Sequence, residues 1–210
     1  LLAGLVFLPS AAFAVVGNVV SGRLSNRFGP RVPVVAGLAS LTSRRPIVVA
    51  VPTTGDADRL ANDLRAYLGP EAVETFPAWE TLPFERVSPS VETMGRRLRT
   101  LWRLRDAART PRVLVAPVRA LVQRLGPGVG EIEPVVIEAG ERRDRDDLVA
   151  TLVAAGYRRE EVVEHRGEVA VRGSIVDVFP STAERPVRID LWGDEVDRLT
   201  EFSVSDQRST

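Results

Sequence analysis

The sequence contains no lysine, no cysteine and a single histidine, and each of these shortages excludes a kind of chemistry. A P-loop ATPase needs the lysine of G-x-x-x-x-G-K-[ST] to reach the β- and γ-phosphates, so a standard Walker A site is excluded. Without cysteine there is no disulfide, thiolate zinc ligand or thiol nucleophile. The lone His165 excludes a multi-histidine metal site. Codon usage in a GC-rich genome offers a plain alternative cause for arginine replacing lysine throughout.

The formal charge is zero, but it is unevenly distributed along the 210 residues. All 28 basic residues are arginine, and they balance 28 acidic residues. The first acid is Asp56, so residues 1–55 carry five arginines and a charge of +5. The remaining 23 arginines and all 28 acids give residues 56–210 a charge of −5. This split indicates two kinds of sequence in one chain, which is long enough for one or two domains.

Residues 1–22 form an uncharged, mostly apolar run, and a helix of about 20 such residues can span a bilayer. A second apolar run, residues 32–41, contains Pro33 and is too short to span. The basic segment between them resembles the cytoplasmic loop motif of major facilitator superfamily transporters, although Asn26 stands where that family usually has Asp. The matching residues are Gly22, Arg23, Leu24, Asn26, Arg27, Gly29 and Arg31.

This resemblance implies that residues 1–38 are an apolar transporter-like helix with a basic loop, and that residues 1–22 could attach the chain to a membrane. Transport itself is not expected, because a transporter of that kind needs about a dozen spans. A genuine segment, a fusion, a misassembled gene model and a truncated fragment all remain open as origins of these residues. Whether the chain continues beyond Thr210 is also open.

From Pro46 onward, short apolar runs alternate with amphipathic segments. Strands are predicted at 46–52, 72–76 and 112–116. Helices are predicted from a cap at Asp56 to Gly69, from Ser90 to about Ala108, and from Pro117 through the next few residues. The second of these would bury Met94, Leu98 and Leu101. The order predicts an α/β domain with a parallel sheet over residues 39–130, ending at the glycine-rich break 126–130.

Residues 131–210 predict a smaller α+β domain. A strand is expected at 135–140 and a helix from Asp144 to Gly156, followed by alternating strands of a sheet with one solvated face. Asp144, Asp146 and Asp147 are better explained by helix capping than by a metal site. His165 has no nucleophile motif beside it, which favours a structural or surface role over a general base.

Two sets of arginines are candidates for partner binding. Six lie on the helix predicted at 91–109, where they form either a contact for nucleic acid or an acidic partner, or a solvated face. The second set lies with carboxylates in or beside the strands of the smaller domain, where cross-strand pairs and a polar protein interface are both open. It comprises Arg158, Arg159, Arg166, Arg172 and Arg188 with Glu160, Glu164, Glu168 and Asp190.

Residues 39–210 resemble the N-terminal UvrB-homology region of bacterial transcription-repair coupling factors, the Mfd family, and are similar to the excision-repair protein UvrB. The matching strings are FPAWETLPFERVSPSVETMGRRLRTLWRL, VLVAPVRALVQR, AGYRREEVVEHRGEVAVRGSIVDVFP and RIDLWGDEVDRLTEFSVSDQRS. The resemblance implies a degenerate RecA-like motor domain over residues 39–130. It also implies a UvrA-interaction domain of the UvrB type over residues 131–210.

The family implies a DNA-repair module that docks UvrA and so links stalled RNA polymerase to nucleotide excision repair in the cytoplasm. No catalysis is expected from this chain, although the full-length family is an ATP-dependent DNA translocase that binds ATP and Mg²⁺ elsewhere. RNA polymerase and DNA would be bound through further domains. A membrane transporter fragment or fusion without transport activity is the alternative. No catalytic, cofactor-binding or metal-binding residue is expected in this chain.

The resemblance also implies which side chains bind UvrA. Carried over by position, these are Arg158 or Arg159, Arg172 and Asp190. Ala170 stands at one basic position of the UvrB R-x-R motif, and Arg166 could compensate for it.

Overall fold

The computed structural model describes residues 31–81 and 88–208, so the expectations for residues 1–30, including the predicted membrane span, lie outside it. Contacts divide the described chain into two compact units. The first holds residues 31–78 and 103–123, and the second holds residues 79–81, 88–102 and 124–208. The division at Gln123–Arg124 lies close to the break expected at 126–130. Within the described ranges, every helix is too short or too polar to cross a bilayer.

The first unit is built on three parallel strands in the order β1-β3-β2, which confirms the predicted parallel sheet. Ile47 and Val73 both pair with Val113 of the central strand. Its elements are α1 (Arg31–Leu41), β1 (Ile47–Val51), α2 (Thr54–Leu68), a 3-10 turn (Pro70–Ala72), β2 (Val73–Thr75), β3 (Val113–Pro117) and α4 (Val118–Val122).

Helix α1 belongs to the core of this unit. Its buried residues Val32, Ala36 and Ala39 follow helical spacing and lie in one apolar cluster with residues of α2 and the sheet. The other buried members of that cluster are Val51, Ala57, Ala61, Leu64, Val73, Val113 and Val115. The helix therefore runs across position 38, where the sequence places the end of the transporter-like segment.

The N-cap of helix α2 lies three residues earlier than the sequence predicts, so the expected cap at Asp56 is wrong. Thr53 is the N-cap: its hydroxyl accepts the Asp56 backbone N–H at 3.1 Å and donates to the Asp56 carboxylate at 2.7 Å. A threonine with an acid three residues later forms a reciprocal cap, which satisfies a backbone donor that would otherwise be left open. The Thr53 hydroxyl also lowers the pKa of Asp56.

The second unit contains a five-stranded sheet in the order β4-β5-β6-β7-β8. Neighbouring strands from β5 to β8 are antiparallel, as the alternating pattern predicts, whereas β4 is parallel to β5, which the pattern does not predict. The elements are α3 (Val91–Leu104), whose last two residues fall in the first unit, a 3-10 turn (Val129–Glu131), α5 (Arg145–Ala154), β4 (Arg158–Arg159), β5 (Glu168–Arg172), β6 (Ile175–Val178), β7 (Val187–Trp192) and β8 (Glu195–Glu201).

Helix α5 covers one face of this sheet. Leu148, Val149 and Leu152 pack in one cluster with buried strand residues such as Val169 and Ile189. Asp144 caps the helix by accepting the backbone N–H groups of Asp146 and Asp147, so the capping interpretation is confirmed. The strand expected at 135–140 is wrong, because residues 132–138 have no regular structure. Val135 and Ile137 pack against the same core as loop residues.

Helix α3 buries a polar face, which corrects the prediction for its apolar side. Ser90 caps it as expected, accepting the Thr93 N–H at 3.1 Å. The buried positions, however, are Gly95 and the polar residues Thr93, Arg97, Thr100 and Arg103, while Met94 is exposed and Leu98 and Leu101 are half-buried. The interpretation of its arginines as one solvated face is therefore wrong for two of them.

Each buried arginine of α3 has its own surroundings. Arg97 lies over the Trp79 ring, 4.3 Å from its centre, and burial lowers its pKa. In the first unit, Arg103 pairs with the buried carboxylate of Glu74 at 2.7 Å and donates to the Glu71 carbonyl at 2.7 Å. A guanidinium with several donors can be buried when carbonyl and carboxylate oxygens meet it.

Candidate functional site

Residues alternate between the two faces of the five-stranded sheet along each strand. Because the apolar residues of these strands pack under α5, the charged residues between them lie on the opposite face. The strand register aligns them in two cross-strand rows. One row is Ala170, Asp177, Arg188 and Thr200, and the next is Arg172, Ile175, Asp190 and Arg198. We call this side of the sheet, with Glu168 and Arg158 at its edge, the charged face. It is the place where most of the predicted binding residues meet.

Asp177 lies beneath two of its arginines. The carboxylate is 1% exposed, and it accepts hydrogen bonds from Arg172 Nη2 and, at 2.7 and 3.0 Å, from Nε and Nη2 of Arg188. Arg188 is mostly buried over the Phe202 ring at 4.8 Å, and its hydrogen bonds to Asp177 raise its pKa. Arg172 stays 46% exposed. The predicted contact residue Arg172 is therefore held from below and keeps donors that face solvent.

Near the edge of the sheet, Glu168 is a second buried acid that holds an arginine in place. Its buried carboxylate accepts the backbone N–H groups of Glu164 at 2.9 Å and His165 at 2.8 Å, and Arg158 Nη2 at 3.0 Å. Burial would raise the pKa of Glu168, but these donors and the nearby charges outweigh it and lower that pKa. The Arg158 side chain is 66% exposed. A second solvent-facing guanidinium thus rests on a buried acid.

The register separates Arg158 from Arg159, which the sequence leaves as alternatives. Arg158 pairs with Glu168, whose side chain belongs to the charged face, whereas Arg159 pairs with Val169, which packs in the core under α5. Neighbouring residues of a strand point to opposite faces. Arg158 therefore shares a face with Arg172, and Arg159 does not.

Arg166 lies apart from this set. Its Nε donates to the Ala183 carbonyl at 2.8 Å, its Nη1 meets Glu92 of α3 at 3.2 Å, and its guanidinium lies 5.4 Å from the centre of the Phe179 ring. It ties α3 to the loop before β7. Ala170, whose missing charge Arg166 was expected to replace, is buried in a cluster with Val163, Phe179 and Phe202. The contacts of Arg166 therefore do not support that replacement.

Asp190 is half-buried and accepts from Arg198 Nη2 at 3.1 Å, and Arg198 is 70% exposed. No sequence pattern marks Arg198 or Asp177 as a binding residue. Ordinary hairpin counting gives no reliable partner for Asp190, because a register shift follows Asp190 and leaves Asp197 unmatched in the ladder. His165, by contrast, is exposed, with Nδ1 3.5 Å from Glu168 Oε1.

The described residues contain no cluster of three or more histidine, aspartate or glutamate side chains able to hold a metal ion. What the charged face offers chemically is a set of guanidiniums directed at solvent and fixed by acids beneath them. Such groups recognise carboxylates on another molecule through paired N–H donors.

Comparison with known proteins relates this surface to a family. Residues 135–210 match the family described as UvrB interaction domain. The chain is 46% identical over 176 residues to the transcription-repair-coupling factor of Mycobacterium bovis, covering 81% of this chain and 14% of the relative. It is 36% identical over 165 residues to that of Escherichia coli, covering 78% and 14%. The chain thus spans about one seventh of the length of these curated relatives.

Proposed function

This chain belongs, over 81% of its length, to the family of transcription-repair-coupling factors, and we propose from that premise that its second unit docks the repair protein UvrA. The match of residues 135–210 to the UvrB interaction domain supports a binding role for this part of the chain. The observation that carries the proposal is the charged face, which lies within those residues. Its exposed guanidiniums Arg158, Arg172 and Arg198 each rest on an acid below them.

The arrangement of arginines and acids on the charged face suits binding of a partner rather than catalysis. An arginine anchored on a buried carboxylate loses little conformational entropy when a partner binds, because its side chain is already held in place. Its outward N–H groups then meet partner carboxylates in a fixed orientation. We propose Arg158, Arg172 and Asp190, together with Arg198, as the contact set. Arg166 is left out because it connects α3 to the loop before β7. Arg159 is left out because it lies on the side of the sheet opposite the charged face.

The relatives' activity is carried to this chain only as a proposal. In a full-length protein of this family, the module would link RNA polymerase stalled on DNA to excision repair in the cytoplasm, with ATP and Mg²⁺ bound elsewhere. The alternative, a transporter fragment, gains nothing from the described residues, since α1 contributes three buried residues to the core of the first unit.

Titration of UvrA into the full chain by calorimetry tests the docking role. We expect Arg172→Glu to lower the affinity by about 2–5 kcal/mol, because it replaces a fixed donor by a charge that repels a partner carboxylate. Arg44→Glu makes the same charge change at an exposed position of the first unit and should leave the affinity unchanged.

Since a glutamate beside buried Asp177 can also weaken the fold, Arg172→Gln is measured in parallel and thermal unfolding is recorded for each variant. The glutamine variant keeps a hydrogen-bond donor and should fold, yet bind less tightly. Wild-type affinity for UvrA in both Arg172 variants would remove Arg172 from the contact set. No binding by the wild-type chain would overturn the proposed function itself.

A further inference from the structure

Trp192, at the end of β7, is the most exposed aromatic residue in the described part of the chain, with 85% of its surface open to solvent. Tryptophan side chains are usually well buried, because they carry a large apolar surface. Tryptophan is enriched among the residues that dominate binding energy at protein interfaces. The position of Trp192 relative to the charged face is therefore informative.

The strand register places Trp192 on the charged face. Leu191 pairs with Val196, and both are buried in the core under α5. Trp192 follows Leu191 and pairs with Glu195, so it points to the opposite side, the same side as Asp190 two residues earlier. The residue unmatched at the register shift is Asp197 on β8, so the alternation along β7 is unbroken.

Charged groups lie on one side of this indole. Asp190 with its partner Arg198 forms the adjacent cross-strand row, and Arg172 ends that row two strands away from Asp190. Neighbouring strands are about 5 Å apart, so Arg172 and Asp190 are about 10 Å apart across the sheet. Trp192, Arg172 and Arg198 thus fit within one patch of the size that a single partner covers.

We propose that Trp192 is the aromatic anchor of the charged face, inserted into an apolar recess of a partner surface that carries carboxylates beside it. The proposal rests on the proposed docking function and adds the anchor and the chemistry of the matching surface. The partner carboxylates lie opposite Arg172 and Arg198, and the recess lies opposite the indole. Burial of the indole in that recess supplies apolar energy that the arginine contacts lack.

The charges of the face select the partner. Its exposed charged side chains include three arginines, Arg158, Arg172 and Arg198, and one acid, Glu195 opposite Trp192, while Asp177 and Glu168 lie below them with almost no exposure. Two copies of this chain meeting through the charged face would bring guanidiniums against guanidiniums, which costs energy. An acidic surface on UvrA is therefore the proposed occupant, and self-association through this face is not expected.

The test is the affinity of the full chain for UvrA with Trp192→Ala, measured by calorimetry at fixed salt. We expect the Kd to rise about 30-fold, the loss that corresponds to roughly 2 kcal/mol for an anchor residue. Trp192→Phe should retain most of the affinity. Leu41→Ala removes a comparably exposed apolar side chain from the first unit and should change nothing. Because Trp192 is so exposed, we expect the melting temperature of the alanine variant to match the wild type.

The outcomes separate the two proposals. If Arg172→Gln weakens binding and Trp192→Ala does not, the anchor is overturned and the docking function stands. If the wild-type chain does not bind UvrA, the docking function fails and the anchor with it. If the wild-type chain dimerises in sedimentation and Trp192→Ala alone dissolves the dimer, the proposed acidic partner is wrong and a second copy is the occupant.

Discussion

At the level of single residues, the arginines that face solvent on the charged face are held in position by acids that are themselves almost inaccessible to solvent. Glu168 and Asp177 are almost fully buried, and each accepts several hydrogen bonds, from backbone N–H groups and Arg158 in one case and from two guanidiniums in the other. A buried carboxylate is tolerated when donors surround it. These acids therefore determine where the exposed arginines lie.

The lowered pKa of Glu168 predicts a pH dependence of stability. Its folded pKa lies below the ordinary value of 4.5, so its carboxylate stabilises the fold above that pH. This contribution is lost as the pH falls from about 4.5 through the folded pKa. We expect Glu168→Gln to cost about 1–3 kcal/mol at neutral pH. The same variant should flatten the acid slope in urea unfolding at a series of pH values.

Glu164→Gln is the matched control, since it makes the same change at an exposed side chain in the loop just before β5. It should keep the stability and the acid slope of the wild type. Glu80, whose lowered pKa reflects its Thr93 and Ser90 donors overcoming burial, should leave some slope in every variant. An acid slope in Glu168→Gln equal to that of the wild type would show that Glu168 does not contribute to it.

At the level of elements, α3 departs most from what its sequence pattern predicts. Its buried positions are threonine, glycine and arginine, and the packing around it is close. A Cβ added to Gly95 would lie 2.6 Å from the Cβ of Ser181 and 3.2 Å from a methyl group of Thr182. Glycine in mid-helix is therefore required here by a neighbouring loop and not by backbone conformation.

Gly95→Ala should lower stability although alanine is the better helix former. The gain of about 0.5–1 kcal/mol from helix propensity is outweighed by a cost of about 1–3 kcal/mol for overpacking. Gly37→Ala in α1 is the control, because no atom lies within 4 Å of its added Cβ, and it should raise stability by about 0.5–1 kcal/mol. Thermal unfolding of both variants measures the difference. Stabilisation by Gly95→Ala would contradict the close packing, and Ser181→Gly should partly rescue the loss.

At the level of the whole molecule, the division by charge and the division by fold do not coincide. The +5 segment ends at residue 55, but residues 31–55 already form α1, β1 and the cap of α2. Arg31, Arg44 and Arg45, three of the five arginines in that segment, therefore belong to the α/β unit. The second unit is also discontinuous, since it takes in residues 79–81 and 88–102 besides residues 124–208.

Two valines of α1 test whether this helix is part of the α/β unit. Val32 is 2% exposed and Val34 is 68% exposed. We expect Val32→Ala to cost about 2–3 kcal/mol through lost burial and the cavity left behind, and Val34→Ala to cost less than about 0.5 kcal/mol. Denaturant unfolding followed by circular dichroism measures both. Equal, small effects would mean that α1 is not part of this core.

Local patterns were enough for much of the architecture. The parallel strands, the antiparallel alternation of the second sheet and the caps at Ser90 and Asp144 depend on residues close together in the chain, so their positions follow from the sequence. Composition alone excludes a standard Walker A site, because that site needs a lysine and the sequence contains none. The family resemblance also identified Arg172 and Asp190, which the structure places in one cross-strand row.

Tertiary structure decided what depends on partners far apart in the chain. Burial of Arg97 against the Trp79 ring breaks the hydrophobic pattern of α3, since an arginine can be buried only where an aromatic face or acceptors meet it. Strand register set Arg158 apart from Arg159, and a bulge brought Arg198 to Asp190. The exposure of Trp192 likewise follows from cross-strand pairing, because a one-residue shift along β7 would turn it into the core.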